Sequence, residues 1–177
     1  MLTEPLPTTL DVRKAGVRGV TVSGTLKPLD LKRFRPILAG DDGSIRAQLA
    51  FSRDEENRYL IEVEINAEVS VTCQRCLELM PISVSSENTL AVVWTDEQAQ
   101  HLPRHLDPLI VGEEGCNLWD LVEEELILAL PSYSYHEAKD CNEVLKGYTG
   151  PAPEEVAEEG RPNPFDVLAQ LKPGNEH

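Results

Sequence analysis

Two cysteines separated by two residues, Cys73-Gln74-Arg75-Cys76, form the sharpest local motif in this chain of 177 residues. Such a pair serves two chemistries. At a helix N-terminus the dipole lowers the pKa of the first thiol and makes it a nucleophile. Here the pair follows a long alternating stretch and precedes another apolar stretch containing Pro81, which puts it at a hairpin tip with no helix dipole in evidence. A hairpin tip suits two thiolates converging on one metal ion. His136 and Cys141 form an H-x4-C pair just after Pro131. Cys73, Cys76, His136 and Cys141 together would make a closed Cys3His shell for Zn2+. Zinc would then pin the end of a helix to the hairpin tip and stabilise the fold directly. A reduced structural pair and a thiol redox pair remain as alternatives. Cys116 reads as a small buried or helix-flanking residue rather than a fifth ligand.

Other candidates carry less. Glu123, Glu124 and Glu125 are consecutive, and on a helix they fan out over about 200°, so they do not converge on a substrate. They read as a solvated face or a surface for a basic partner. His101 and His105 stand four apart, but no H-E-x-x-H accompanies them, and they read as surface residues. Trp94 and Trp119 read as packing groups. No phosphate-binding glycine loop, dinucleotide fingerprint or nucleophile elbow is present, and nothing pairs a nucleophile with its base. The chain reads as a non-enzyme.

Charge is divided unevenly. Residues 1–53 carry nine Lys or Arg against five Asp or Glu, whereas the remainder carries seven against twenty-six, and the chain as a whole is at −15. A uniformly acidic protein is a poor partner for a phosphate backbone. The basic stretch holding Arg13, Lys14, Arg18, Lys32, Arg33 and Arg35 could still touch RNA, or could be ordinary solvated side chains. The acidic two-thirds fits a basic protein partner steered in by opposite charge. The longest aliphatic run, Leu126 to Leu130, is far shorter than the roughly 20 residues needed to span a bilayer. The opening MLTEPLPTTLDVRK lacks the apolar stretch of a signal peptide. A cytoplasmic protein with no membrane segment is expected, and with it thiols that stay reduced.

The elements that would position these groups are legible in part. Val17, Val20 and Val22 suggest a strand ended by Ser23-Gly24. Residues 31–38 read as a short basic helix or a loop. Ile45, Ala47, Leu49 and Phe51 alternate with polar neighbours, and the same period of two runs from Ile61 to Cys73, so one face of each strand meets a core. The length of the second strand suggests bending or a bulge. Antiparallel return strands account for Leu77 to Val93, and a short strand for 109–111. Asn117 can cap the main helix, 118–130, which Pro131 stops. The expected fold is α+β: a bent, barrel-like antiparallel sheet, one main helix and a short C-terminal helix. Residues 1–141 read as one domain and 142–162 as an acidic flexible linker. Residues 163–177 read as a helix and tail opened by Asn163-Pro164.

C-Q-R-C-L at 73–77, DLVEEELILALP at 120–131, His136 with Cys141, and NPFDVLAQLK at 163–172 together resemble the YceD family of bacterial proteins, whose members are named large ribosomal RNA subunit accumulation proteins. Other branches of that family carry further cysteines after the proline, in a pattern that looks metal-binding. The resemblance implies a non-enzymatic accessory role in 23S ribosomal RNA accumulation or processing. The implied partners are ribosomal RNA, a large-subunit ribosomal protein or an assembly intermediate. A thiol redox protein built on Cys73 and Cys76, and an interaction module without RNA contact, stand as the competing functions.

Overall fold

The computed structural model describes residues 4–112, 115–137 and 141, so the expected linker at 142–162 and helix at 163–177 lie outside the described residues. In chain order the elements are β1 (Thr9–Leu10), α1 (Val12–Arg18), β2 (Thr21–Leu26), β3 (Gly43–Arg53), β4 (Tyr59–Thr72) and β5 (Leu79–Val93). These are followed by α2 (Asp96–Gln100), β6 (Asp107–Ile110), β7 (Cys116–Asn117) and α3 (Leu118–Ala129). Two single 3₁₀ turns, Pro28–Asp30 and Arg35–Ile37, occupy the stretch between β2 and β3. Among the described residues no helix is long and apolar enough to cross a membrane.

The α+β class holds. The main sheet runs β2-β3-β4-β5-β6, and β1 and β7 form a separate ribbon. The sheet is not closed into a barrel: β2 and β6 end the order as two separate edges. Each edge is blunted. Leu6 and Glu4 exchange backbone hydrogen bonds with Thr25 along β2, and Pro108 interrupts the donors of β6. The sheet is also not wholly antiparallel: β6 lies parallel to β5, reached by a crossover through α2. Side chains alternate alike in parallel and antiparallel strands, so alternation does not reveal strand direction.

The long alternating strand is β4, and its apolar face is the core. Ile61, Val63, Ile65, Ala67 and Val69 are buried while Glu62, Glu64, Asn66 and Glu68 face out. Its register is continuous with β3 over Tyr59–Val69 and with β5 over its whole length, so the suggested bulge is absent. The return from the hairpin is one strand of fifteen residues rather than several. On the core face α3 lays down Leu118, Leu121, Val122 and Leu126, joined by Leu31 and Phe34 from the 3₁₀ stretch. Asn117 caps α3, its side-chain oxygen accepting from the Trp119 and Asp120 amides.

Two further expectations are corrected. Val17 belongs to α1, not to a strand. Asp11 caps that helix, and Gly19, with φ 62°, ends it by donating its amide to the carbonyls of Ala15 and Gly16. Gly24 does not end β2 either. It lies inside the strand because the Leu6 backbone crosses over it, and a Cβ there would fall 2.5 Å from Leu6 Cα.

Candidate metal centre

The hairpin joining β4 to β5 closes in a compact turn over residues 73–78. The Cys73 amide donates to the Glu78 carbonyl and the Leu77 amide to the Cys73 carbonyl, both at 2.9 Å. Leu77 sits at φ 63°, a left-handed conformation uncommon for leucine. Pro131 ends α3, and the chain after it comes back to this turn: the Gln74 amide donates to the Ser134 carbonyl at 2.9 Å. That bond puts His136 against the cysteines, and its own amide donates to Cys73 Sγ at 3.4 Å.

The four residues singled out by spacing therefore meet. Cys73 Sγ lies 3.6 Å from Cys141 Sγ, Cys141 Sγ 3.9 Å from Cys76 Sγ, and Cys76 Sγ 3.3 Å from His136 Nδ1. The four ligand atoms all fall within 4.8 Å of one another. A disulfide would need about 2.05 Å between sulfurs, and all four cysteines are free thiols. A tetrahedral zinc with bonds of about 2.3 Å to sulfur sets its sulfurs about 3.8 Å apart. The observed sulfur separations bracket that value. The donor set, three soft sulfurs and one imidazole, is also the one zinc favours. The cluster could hold a metal ion.

The surroundings orient the ligands. His136 Nε2 lies 3.1 Å from the Leu79 carbonyl. A carbonyl only accepts, so that bond puts the proton on Nε2 and leaves the Nδ1 lone pair for the cluster. Burial alone would push the Cys73 thiol up, but the backbone amides of Cys76, His136 and Arg75 bring it down to about 5. Burial and the neighbouring sulfurs of Cys73 and Cys76 push Cys141 up to about 11. A divalent cation at the centre would displace that proton as well. Cys116 lies in β7, apart from the cluster, with burial and the nearby Asp120 charge raising its thiol to about 11.

Four of the six side chains of the basic stretch have partners within the protein. Arg13 stacks on Trp94 with its guanidinium 4.4 Å from the ring centroid, and Lys14 pairs with Asp11 at 3.0 Å. Arg35 pairs with Asp41 at 2.7 Å. Arg33 bridges Glu123 and Glu124. Arg18 and Lys32 are exposed. Trp94 also meets Tyr59 edge-on, and Trp119 Nε1 donates to the Leu6 carbonyl, so both tryptophans pack as expected. His101 and His105 are exposed.

The acidic run on α3 needs correction. Glu123 and Glu125 are only 4% and 7% exposed and do not form a solvated face. Glu123 accepts from the amides of Arg33 and Phe34 and from Arg33 Nε. Glu125 accepts from the Ser86 hydroxyl and the Asn88 side-chain amide. No local pattern signals the Glu123 clasp, because its partners lie about ninety residues earlier in the chain.

Comparison with known proteins supplies a relationship. Residues 61–172 match the family described as Large ribosomal RNA subunit accumulation protein YceD. The protein of that name from Haemophilus influenzae (strain ATCC 51907 / DSM 11121 / KW20 / Rd) is 32% identical over 169 residues, covering 94% of this chain and 96% of the relative. No solved structure matches. The family match spans well over half the chain and the relative aligns nearly end to end, so this chain belongs to the YceD family.

Proposed function

We propose that this chain is a non-enzymatic accessory factor for the accumulation of 23S ribosomal RNA during large-subunit assembly, acting in the cytoplasm. The observation that carries this reading is the near full-length similarity to a relative named for large ribosomal RNA subunit accumulation. Its partner would be ribosomal RNA, a large-subunit ribosomal protein or an assembly intermediate. Of the basic side chains, Arg13, Arg18 and Lys32 are the better candidates for RNA contact, since Lys14, Arg33 and Arg35 already bind carboxylates within the protein. Cys73, Cys76, His136 and Cys141 would hold Zn2+ as a closed structural site. The metal would supply no open coordination position and no reaction, only a cross-link between the hairpin tip and the chain beyond α3.

The thiol redox reading draws support from the low pKa of Cys73, but that sulfur is wholly buried and follows a strand rather than opening a helix. An exchanging thiol needs access to its partner disulfide. Deleting the gene is expected to lower 23S relative to 16S RNA, with recovery on re-expression. An unchanged ratio overturns the proposed role.

A further inference from the structure

Among the described residues, nothing covers the outward face of the sheet along its long central strands, and that face has two chemically distinct ends. Glu62, Glu64 and Glu68 project from β4, and the register sets Glu64 directly opposite Glu87 of β5. Like charges facing each other across a ladder are destabilising. Among the described residues, Glu62, Glu64 and Glu87 have no ion-pair partner. With Gln48, Thr89 and His105 they line a shallow depression. Arg46 shares the face, opposite Asn66, but makes no ion pair with these carboxylates.

At the other end, the hairpin tip displays apolar side chains. Leu77 is 76% exposed, Leu79 64%, Tyr133 71% and Tyr135 47%. They come from two segments that the Gln74–Ser134 and His136–Leu79 hydrogen bonds lock together. The Arg75 guanidinium lies 5.3 Å from the Tyr135 ring centroid. Leucine and tyrosine gathered at one tip make a patch of the kind that marks protein contact, and tyrosine and arginine are common binding anchors. Leu79 points out of the same face of β5 as Glu87, so it links the tip to the carboxylates along one strip. Eight residues of strand separate them, roughly 27 Å at 3.4 Å per residue.

We propose that this strip is a docking surface for an extended cationic polypeptide, with an apolar anchor seated at the Leu77–Leu79–Tyr135 tip and Lys or Arg side chains paired with Glu62, Glu64 and Glu87. Charge complementarity selects the partner class. A nucleic acid would bring phosphates to carboxylates that already repel one another, whereas a basic chain relieves that repulsion. The proposal rests on the accessory-factor reading only for its biological setting, since basic segments of that kind are what a nucleic-acid-binding partner would offer.

The test uses the full chain and three probes: a Lys/Arg-rich peptide ending in Leu-Phe-Leu, the same peptide without that end, and a single-stranded RNA. Two double variants are compared with the parent. Glu64→Gln with Glu87→Gln removes a repulsive pair and is expected to leave the melting temperature unchanged or raised. Leu77→Asn with Leu79→Thr removes both leucines of the patch while giving position 77 a residue that tolerates a left-handed backbone. The parent should bind the anchored peptide more tightly than the plain one. The glutamine variant should weaken both peptides by about tenfold at low salt and flatten their salt dependence. The tip variant should abolish the advantage of the anchored peptide alone. Equal binding by parent and variants overturns the proposal, as does RNA that binds the parent and is lost in the same variants. Failure of peptide binding leaves the 23S to 16S ratio on gene deletion untouched, so the two readings fail separately.

Discussion

Glu123 is the residue whose setting departs most from its neighbourhood in the chain. Burial disfavours its charge, yet two amides and a guanidinium more than compensate and hold the carboxyl below its usual range. A carboxylate depressed in the folded state stabilises the protein above the unfolded pKa, and that contribution is lost as pH falls through the lower folded value. Glu123→Gln is therefore expected to be destabilised at pH 7 and to show a shallower loss of stability than the parent below about pH 4. Urea midpoints measured from neutral to acid pH check this, and parallel profiles would refute it. Glu123→Ala leaves the buried Phe34 amide without a partner, for an expected cost of about 1–3 kcal/mol. Leu77 shows a different constraint. Its left-handed backbone costs on the order of 1 kcal/mol, and the turn that imposes it is the one that brings Cys73 and Cys76 to the cluster.

At the level of elements, β2 depends on Gly24. The strand passes under the Leu6 backbone, and Leu6 is itself a core side chain. Gly24→Ala is expected to lose about 1–3 kcal/mol, because backbone must move to admit one methyl group. Gly40→Ala is the control, since a Cβ there meets nothing within 4 Å. Thermal melts of the two variants should separate clearly, and equal melting temperatures would show that the N-terminal segment does not lie over β2. The helix α3 is tied at its start by two devices. Asn117 caps its start, and Trp119 anchors it to the Leu6 carbonyl. Beyond its end the chain turns at Pro131 and reaches the hairpin tip, so the candidate metal centre acts on the element following the helix.

For the molecule as a whole, the cluster closes a long loop: Cys73 and Cys141 are 68 residues apart in sequence and adjoin in space. Metal binding there would couple directly to stability. Purified protein is expected to contain about one zinc per chain. Chelation should lower the melting temperature by at least about 5 °C and raise amide exchange in residues 131–137 more than in β4. Unchanged melting and exchange after metal removal would leave the four side chains as a reduced thiol cluster. The wider charge pattern belongs to this scale too. Much of the positive charge near the N-terminus is engaged in internal pairs, while among the described residues Glu62, Glu64 and Glu87 on the outer sheet face make no ion pair.

Features carried by short-range pattern were legible from the sequence alone. The alternation in β3 and β4, the Asn117 cap with its apolar stripe, and the Pro131 stop all express backbone geometry within a few residues, and each appears where it is expected. The Cys/His set was also readable, because metal ligands are few in kind and their spacing is informative. Tertiary structure alone decided that β6 runs parallel to β5, that the sheet stays open, and that Gly24 lies within a strand. It also decided that Glu123 is buried while Glu64 faces its like. Each of these depends on which distant segment arrives as a neighbour, and burial, pairing and charge compensation are set by that neighbour rather than by the local run of residues.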